Sequence, residues 1–229
     1  MTAEVSTTVP ARDDEMVARA VEWCTTFLTG PHDLIGRNGP VCPFVEPAIR
    51  GGTLIVQSRP IGADTSAEAL DAVVEEMQGV FRDQQWAHSN EVLHALVMVL
   101  PRLPAERWHL LDELHSRVKP LLADRSLMLA QFHPDCLETA ARNSAFPVAQ
   151  APVPMLALRN MAFHDILFLD SDRRMFHAYS RRYGARYATS TGIDPHFRQR
   201  FDRAARRFGV VASDPPPESA IARRKSNHE

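Results

Sequence analysis

Apolar positions recur in two alternating periods along the chain, and that alternation predicts the architecture. Between residues 13 and 29, Met16, Val17, Ala20, Val21, Cys24, Phe27 and Leu28 return every three to four residues, which makes one face of a helix. Gly30-Pro31 stops that helix. An irregular stretch rich in glycine and proline follows from His32 to Gly52, and residues 53–57 read as a short strand. Thr65 with Glu68 three residues later is a capping-box signature. It opens a helix reaching about Gln84, with Leu70, Val73, Val74, Met77, Val80 and Phe81 on its inner side. Residues 92–100 are almost continuously apolar and predict a buried strand. Pro104 suits the first turn of a third helix, which buries Trp108, Leu111, Leu114, Val118, Leu121 and Leu122. Residues 127–132 form the next buried strand, ending at His133-Pro134.

The second half is less regular. Residues 146–154 hold three prolines in nine positions and read as extended loop. Residues 155–161 read as a helix, 166–169 as a short apolar run, and 172–182 and 195–208 as helices. Asp194 caps the last of these, Pro195 occupies its first position and Gly209 lies beyond its end. Strands alternating with helices predict an α/β or α+β fold, a small mixed sheet with packed helices followed by arginine-rich C-terminal helices. Residues 1–212 are expected as a single globular domain. Residues 213–229, with three prolines in a row and Arg223-Arg224-Lys225, are expected as a disordered basic tail.

Composition changes this picture in two places. No apolar run approaches the length of a membrane span, and Met1 to Pro10 lacks the pattern of a secretory leader. Three cysteines (Cys24, Cys42, Cys136) cannot all pair within one chain, so reduced thiols and a cytoplasmic location are expected. The net charge of -2 conceals an asymmetry: between Arg173 and Arg207 stand ten arginines, no lysine and two acids. That block calls for an anionic counterpart, such as cofactor carboxylates, phosphate or an acidic protein face. Nucleic acid is disfavoured, because interleaved lysines and exposed aromatics are missing. Tyr179, Tyr183 and Tyr187 form a helical stripe suited to a core or an interface, and a homodimer is allowed.

No phosphate-binding glycine loop, Gly-x-Ser-x-Gly elbow, His-Glu-x-x-His pair or Cys-x-x-Cys is present. Candidate chemistry therefore sits in irregular segments after buried strands. Gln131-Phe132-His133-Pro134-Asp135 delivers an imidazole at a strand end, as a metal ligand, a general base or a loop hydrogen bonder. His164-Asp165 offers a second imidazole beside a carboxylate, or a surface turn. Cys42 lies in a loop, as a soft ligand, a nucleophile or a small core residue. Cys24 reads as packing. Cys136 is close to His133 in sequence, but at no common metal spacing. His177 and His196 read as solvated or capping residues, and His88, His94, His109 and His115 as structural or exposed.

The segments Gly39-Pro40-Val41-Cys42-Pro43-Phe44, Gln131-Phe132-His133-Pro134, Phe146-Pro147-Val148 and Pro152-Val153-Pro154-Met155-Leu156-Ala157-Leu158-Arg159, in that order, resemble a bacterial family of domains of unknown function over roughly residues 16–185. That family is similar to the haem-dependent arginine N-hydroxylases of D-cycloserine biosynthesis. The resemblance implies a haem b monooxygenase acting on a guanidinium nitrogen of L-arginine or a related amino acid. It implies an axial ligand at His133 or His164, with Cys42 and Arg159 as cofactor-binding residues. Carboxylates for the substrate would come from Glu46, Asp135, Glu138 and Asp165. Two alternatives stand beside it: a non-haem metal enzyme using His133, Asp135 and His164, and a non-catalytic binding protein using its arginine helices.

Overall fold

The computed structural model describes residues 6–8, 13–62 and 64–210. The chain divides into two compact units, residues 1–162 and 163–229. The expected domain end at 212 and the expected tail lie outside the described residues.

The first unit is mixed α/β, with one five-stranded sheet in the order β1-β2-β3-β5-β4. Its strands are β1 (Ser6–Thr8), β2 (Leu54–Ser58), β3 (Ala95–Val99), β4 (Leu127–Phe132) and β5 (Met155–Asn160). The first three run parallel, while β5 is antiparallel to both of its neighbours. Helices α1 (Asp14–Thr26), α2 (Val45–Arg50), α3 (Ala67–Asp83) and α4 (His109–Asp124) cover the sheet.

Strand alternation assigns each helix to a layer. Ile55, Leu96, Met98, Leu129, Leu156 and Leu158 pack with Leu70, Val74 and Met77 of α3 and Leu111, Leu114 and Val118 of α4. The intervening residues Leu54, Val56, Val97, Val99 and Met155 pack with Val17, Ala20 and Cys24 of α1 and Ala48 of α2. The sheet is thus buried on both faces, which is why β3 reads as an unbroken apolar run.

Several expectations are adjusted. Residues 155–161, expected as helix, form β5. The register Val97↔Ala157↔Ala130 places this segment between β3 and β4, so ladder bonds on both sides outweigh the helical propensity of Met-Leu-Ala-Leu. The cap of α3 is Ser66, whose hydroxyl accepts from the Ala69 N–H; Thr65 instead bonds the Gly62 carbonyl. The apolar run at 92–100 becomes a strand only from Ala95, after a 3-10 turn at Glu91–Leu93.

The second unit holds the short α5 (Ile166–Leu169), α6 (Arg173–Thr189) and α7 (Pro195–Phe208). Asp194 caps α7 by accepting from the His196 N–H, and Gly209 closes it at φ 70°. The core is aromatic: Tyr187 stacks on Phe201 at 3.9 Å, and Phe163 stacks on Tyr187 at 5.1 Å. The tyrosine stripe therefore serves the core of this unit. The buried Tyr179 hydroxyl donates to the Phe163 carbonyl and accepts from Tyr187. Arg200 clasps Asp170 through two bonds, and Arg186 lies 4.0 Å above the Phe163 ring, so part of the arginine block is structural.

Candidate metal centre

Residues from α4 and from the end of β4 meet on the α3/α4 side of the sheet. Gln131 and His133 are two apart, so their side chains leave the same face of the strand, while Phe132 between them points to the α1 side. Pro134 follows with its fixed φ, and the Cys136 N–H donates to the His133 carbonyl at 3.1 Å. This is a β-turn with proline in its second position. The turn folds the thiol back beside the imidazole. Asp112 stands in the first turn of α4, where the helix dipole favours an anion.

All three side chains converge on that carboxylate. His133 Nε2 lies 3.2 Å from Oδ2 and 3.3 Å from Oδ1 of Asp112. Gln131 Nε2 donates to Oδ1 at 3.2 Å, and Cys136 Sγ donates to the same oxygen at 3.8 Å. One donor atom each from Asp112, His133 and Cys136 can be chosen with all three within 4.8 Å of one another. His133 and Cys136 are buried, whereas the Asp112 side chain keeps 43% of its exposure, so the cluster meets solvent at its carboxylate. Trp108 flanks it, its ring 5.9 Å from that of His133.

These residue types also make a Cys-His-Asp nucleophilic triad, but the geometry is wrong for one. The thiol addresses the carboxylate, not the imidazole, and burial pushes Cys136 up to about 11. The arrangement instead suits a shared cation. Around a four-coordinate ion with bonds of roughly 2.0–2.3 Å, neighbouring donors stand roughly 3.3–3.5 Å apart; the Asp112–His133 spacings match this, and the thiol at 3.8 Å from Oδ1 stands a little further out.

The other expected site residues fall elsewhere. Cys42 is half-buried in the α1/α2 layer, where its N–H donates to the Leu28 carbonyl at 2.8 Å. Arg159 of β5 lies 5.0 Å over the Phe44 ring, so two of the sequence segments do meet. They meet on the sheet face opposite His133, because Arg159 follows the alternation of Met155 and Ala157. Glu46 is exposed and paired with Arg50 at 2.6 Å. Asp135 and Glu138 are exposed and stand outside the donor group. His164 and the buried Asp165 belong to the second unit, in a 3-10 turn where the His164 ring meets Phe197 edge-on at 5.2 Å. Asp112 was not among the sequence candidates. Its one signal is position: an acid four residues after Trp108 and one after Leu111, at the margin of an apolar helix face.

A family model described as a domain of unknown function (DUF6875) matches residues 17–194, from α1 to the cap of α7. No curated protein and no solved structure matches the chain. No helix among the described residues is long and apolar enough to cross a membrane.

Proposed function

The chain belongs to the DUF6875 family, and from that premise we propose that it is a metal-dependent enzyme whose ion is held by Asp112, His133 and Cys136. The observation that carries this reading is the convergence of a carboxylate, an imidazole and a thiol within 4.8 Å. A mixed O, N and S donor set suits zinc or a neighbouring transition metal better than magnesium or calcium. Three protein donors leave a fourth position, and half-exposed Asp112 gives it a route to solvent. That is the pattern of a centre that activates water or polarises a small substrate. Binding displaces the Cys136 proton, so a cation turns a buried neutral thiol into a ligand.

A second reading is supported by a different atom. Nδ1 of His133 is buried and has no hydrogen-bond partner among the described residues. With Nε2–H donated to Asp112, Nδ1 would carry the lone pair, and Asp112 would fix the tautomer of an imidazole that holds iron. This supports the haem b monooxygenase that the resemblance implies, acting on a guanidinium nitrogen of arginine or a related amino acid. Haem would supply oxygen activation; the chain would supply His133 to hold it and Asp112 to orient the ring.

One preparation tests both. The purified full chain is analysed for metals and scanned over roughly 350–700 nm, where haem absorbs. The first reading expects about one zinc-class ion per chain, lost in His133→Ala and in Cys136→Ala. The haem reading expects a Soret band, lost in His133→Ala and kept in Cys136→Ala, with His164→Ala as the test of the other histidine. Protein that carries neither, and takes up neither when supplied, overturns both.

A further inference from the structure

We infer that Gln131 is the positioning residue that sets which metal the Asp112–His133–Cys136 centre accepts, an inference that rests on the first reading above. Gln131 is 4% exposed, and a glutamine so buried needs a reason to be there. Its amide Nε2 donates to Oδ1 of Asp112 at 3.2 Å. It shares a strand face with His133, and the two side chains approach the same carboxylate from the same side.

A carboxylate can bind an ion through one oxygen or two. Oδ1 receives Gln131, faces the Cys136 thiol at 3.8 Å and lies 3.3 Å from His133 Nε2, which stands 3.2 Å from Oδ2. Oδ1 is thus the oxygen that the imidazole and the thiol both face, and the Gln131 amide, bound to the same atom through its other lone pair, fixes how the carboxylate is turned. Gln131 therefore holds Asp112 in a one-oxygen mode. One oxygen, one nitrogen and one sulfur with one open position suit a four-coordinate, zinc-class ion. Without the amide the carboxylate is released to bind through both oxygens. That raises the coordination number and favours larger, oxygen-seeking ions such as manganese. The neighbouring Gln150, which bridges His133 through the backbone, makes no bond to Asp112 among the described residues.

The test uses the full chain, stripped of metal and refilled with Zn²⁺, Co²⁺ or Mn²⁺. Gln131→Met keeps the volume and removes the donor, and Gln131→Asn keeps an amide too short to reach Asp112. Circular dichroism confirms that each variant is folded, and either one suffices. The expected result is a 10- to 100-fold loss of Zn²⁺ affinity by chelator competition, the usual effect of removing a partner behind a ligand. The Zn²⁺/Mn²⁺ preference narrows in parallel, and the visible bands of the Co²⁺ form weaken as it passes from four to five ligands. A purely structural glutamine would move stability and leave the cobalt spectrum and the metal preference unchanged, and that outcome overturns the inference. A wild-type chain that binds none of the three ions overturns the first reading as well. The two failures are therefore distinguishable.

Discussion

Replacing His115 by glutamine removes a defined part of the acid sensitivity of the fold. His115 lies on α4, is 7% exposed, and its Nε2 meets the Leu129 carbonyl at 3.1 Å. Burial, and then the charge of Lys119, push its pKa from 6.5 to about 4. The folded protein therefore holds this imidazole neutral at pH values where the unfolded chain protonates it. The unfolded state binds more protons, so stability rises with pH across this window. The contribution is fully present above about 6.5 and is lost as pH falls towards 4. A gap of about 2.5 at about 1.4 kcal/mol per unit gives about 3 kcal/mol in total, and about 2 kcal/mol by pH 5. Urea unfolding followed by circular dichroism, at pH 7 and pH 5 with chelator present, measures it. Wild type should lose about 2 kcal/mol more than His115→Gln between the two conditions. The comparison of differences cancels any fixed cost of the substitution and the titration of other histidines. Equal losses in the two proteins would refute the argument that His115 is buried in its neutral form.

Two further outcomes follow from the same kind of reasoning. Tyr179→Phe strips the Phe163 carbonyl of its donor and the Tyr187 hydroxyl of its acceptor, and should cost about 1–2 kcal/mol in chemical denaturation. Native protein treated with iodoacetamide near neutral pH should be labelled first at half-buried Cys42. Cys136 should react only on unfolding, being fully buried and raised to about 11. Peptide mass spectrometry reads the order, and early labelling of Cys136 would mean that the turn after His133 opens readily.

The legible parts of this chain were those fixed locally. The period of Val17, Ala20 and Cys24, the sequence Asp194-Pro195 before α7 and Gly209 after it each specify their element through bonds a few residues long. Residues 155–160 failed the same reading for a physical reason. Met-Leu-Ala-Leu favours a helix in isolation, and only the slot between β3 and β4, set by residues about 30 and 60 positions earlier, makes it a strand. The candidate centre divides along the same line. His133 was visible because a buried strand ending in His-Pro is a local signal, whereas Cys136, three residues on, was set aside because its spacing matches no common metal motif. Asp112 was not, since nothing in its neighbourhood announces a partner 21 residues away.

The position of the sheet then decides which of the sequence candidates can act together. Phe44, two residues after Cys42, and Arg159 come from separate sequence segments and do meet, but over the α1/α2 face. His133 emerges on the other face, because a strand alternates and Phe132 takes the α1 side. A shift of one residue in β4 would exchange them, bringing His133 to the Cys42 side and sending Phe132 into the polar cluster under α4. The register Phe132↔Met155 is therefore what joins the imidazole to Asp112 and separates it from Cys42. What the chain does with an imidazole at this point is settled by that pairing as much as by the identity of the residue.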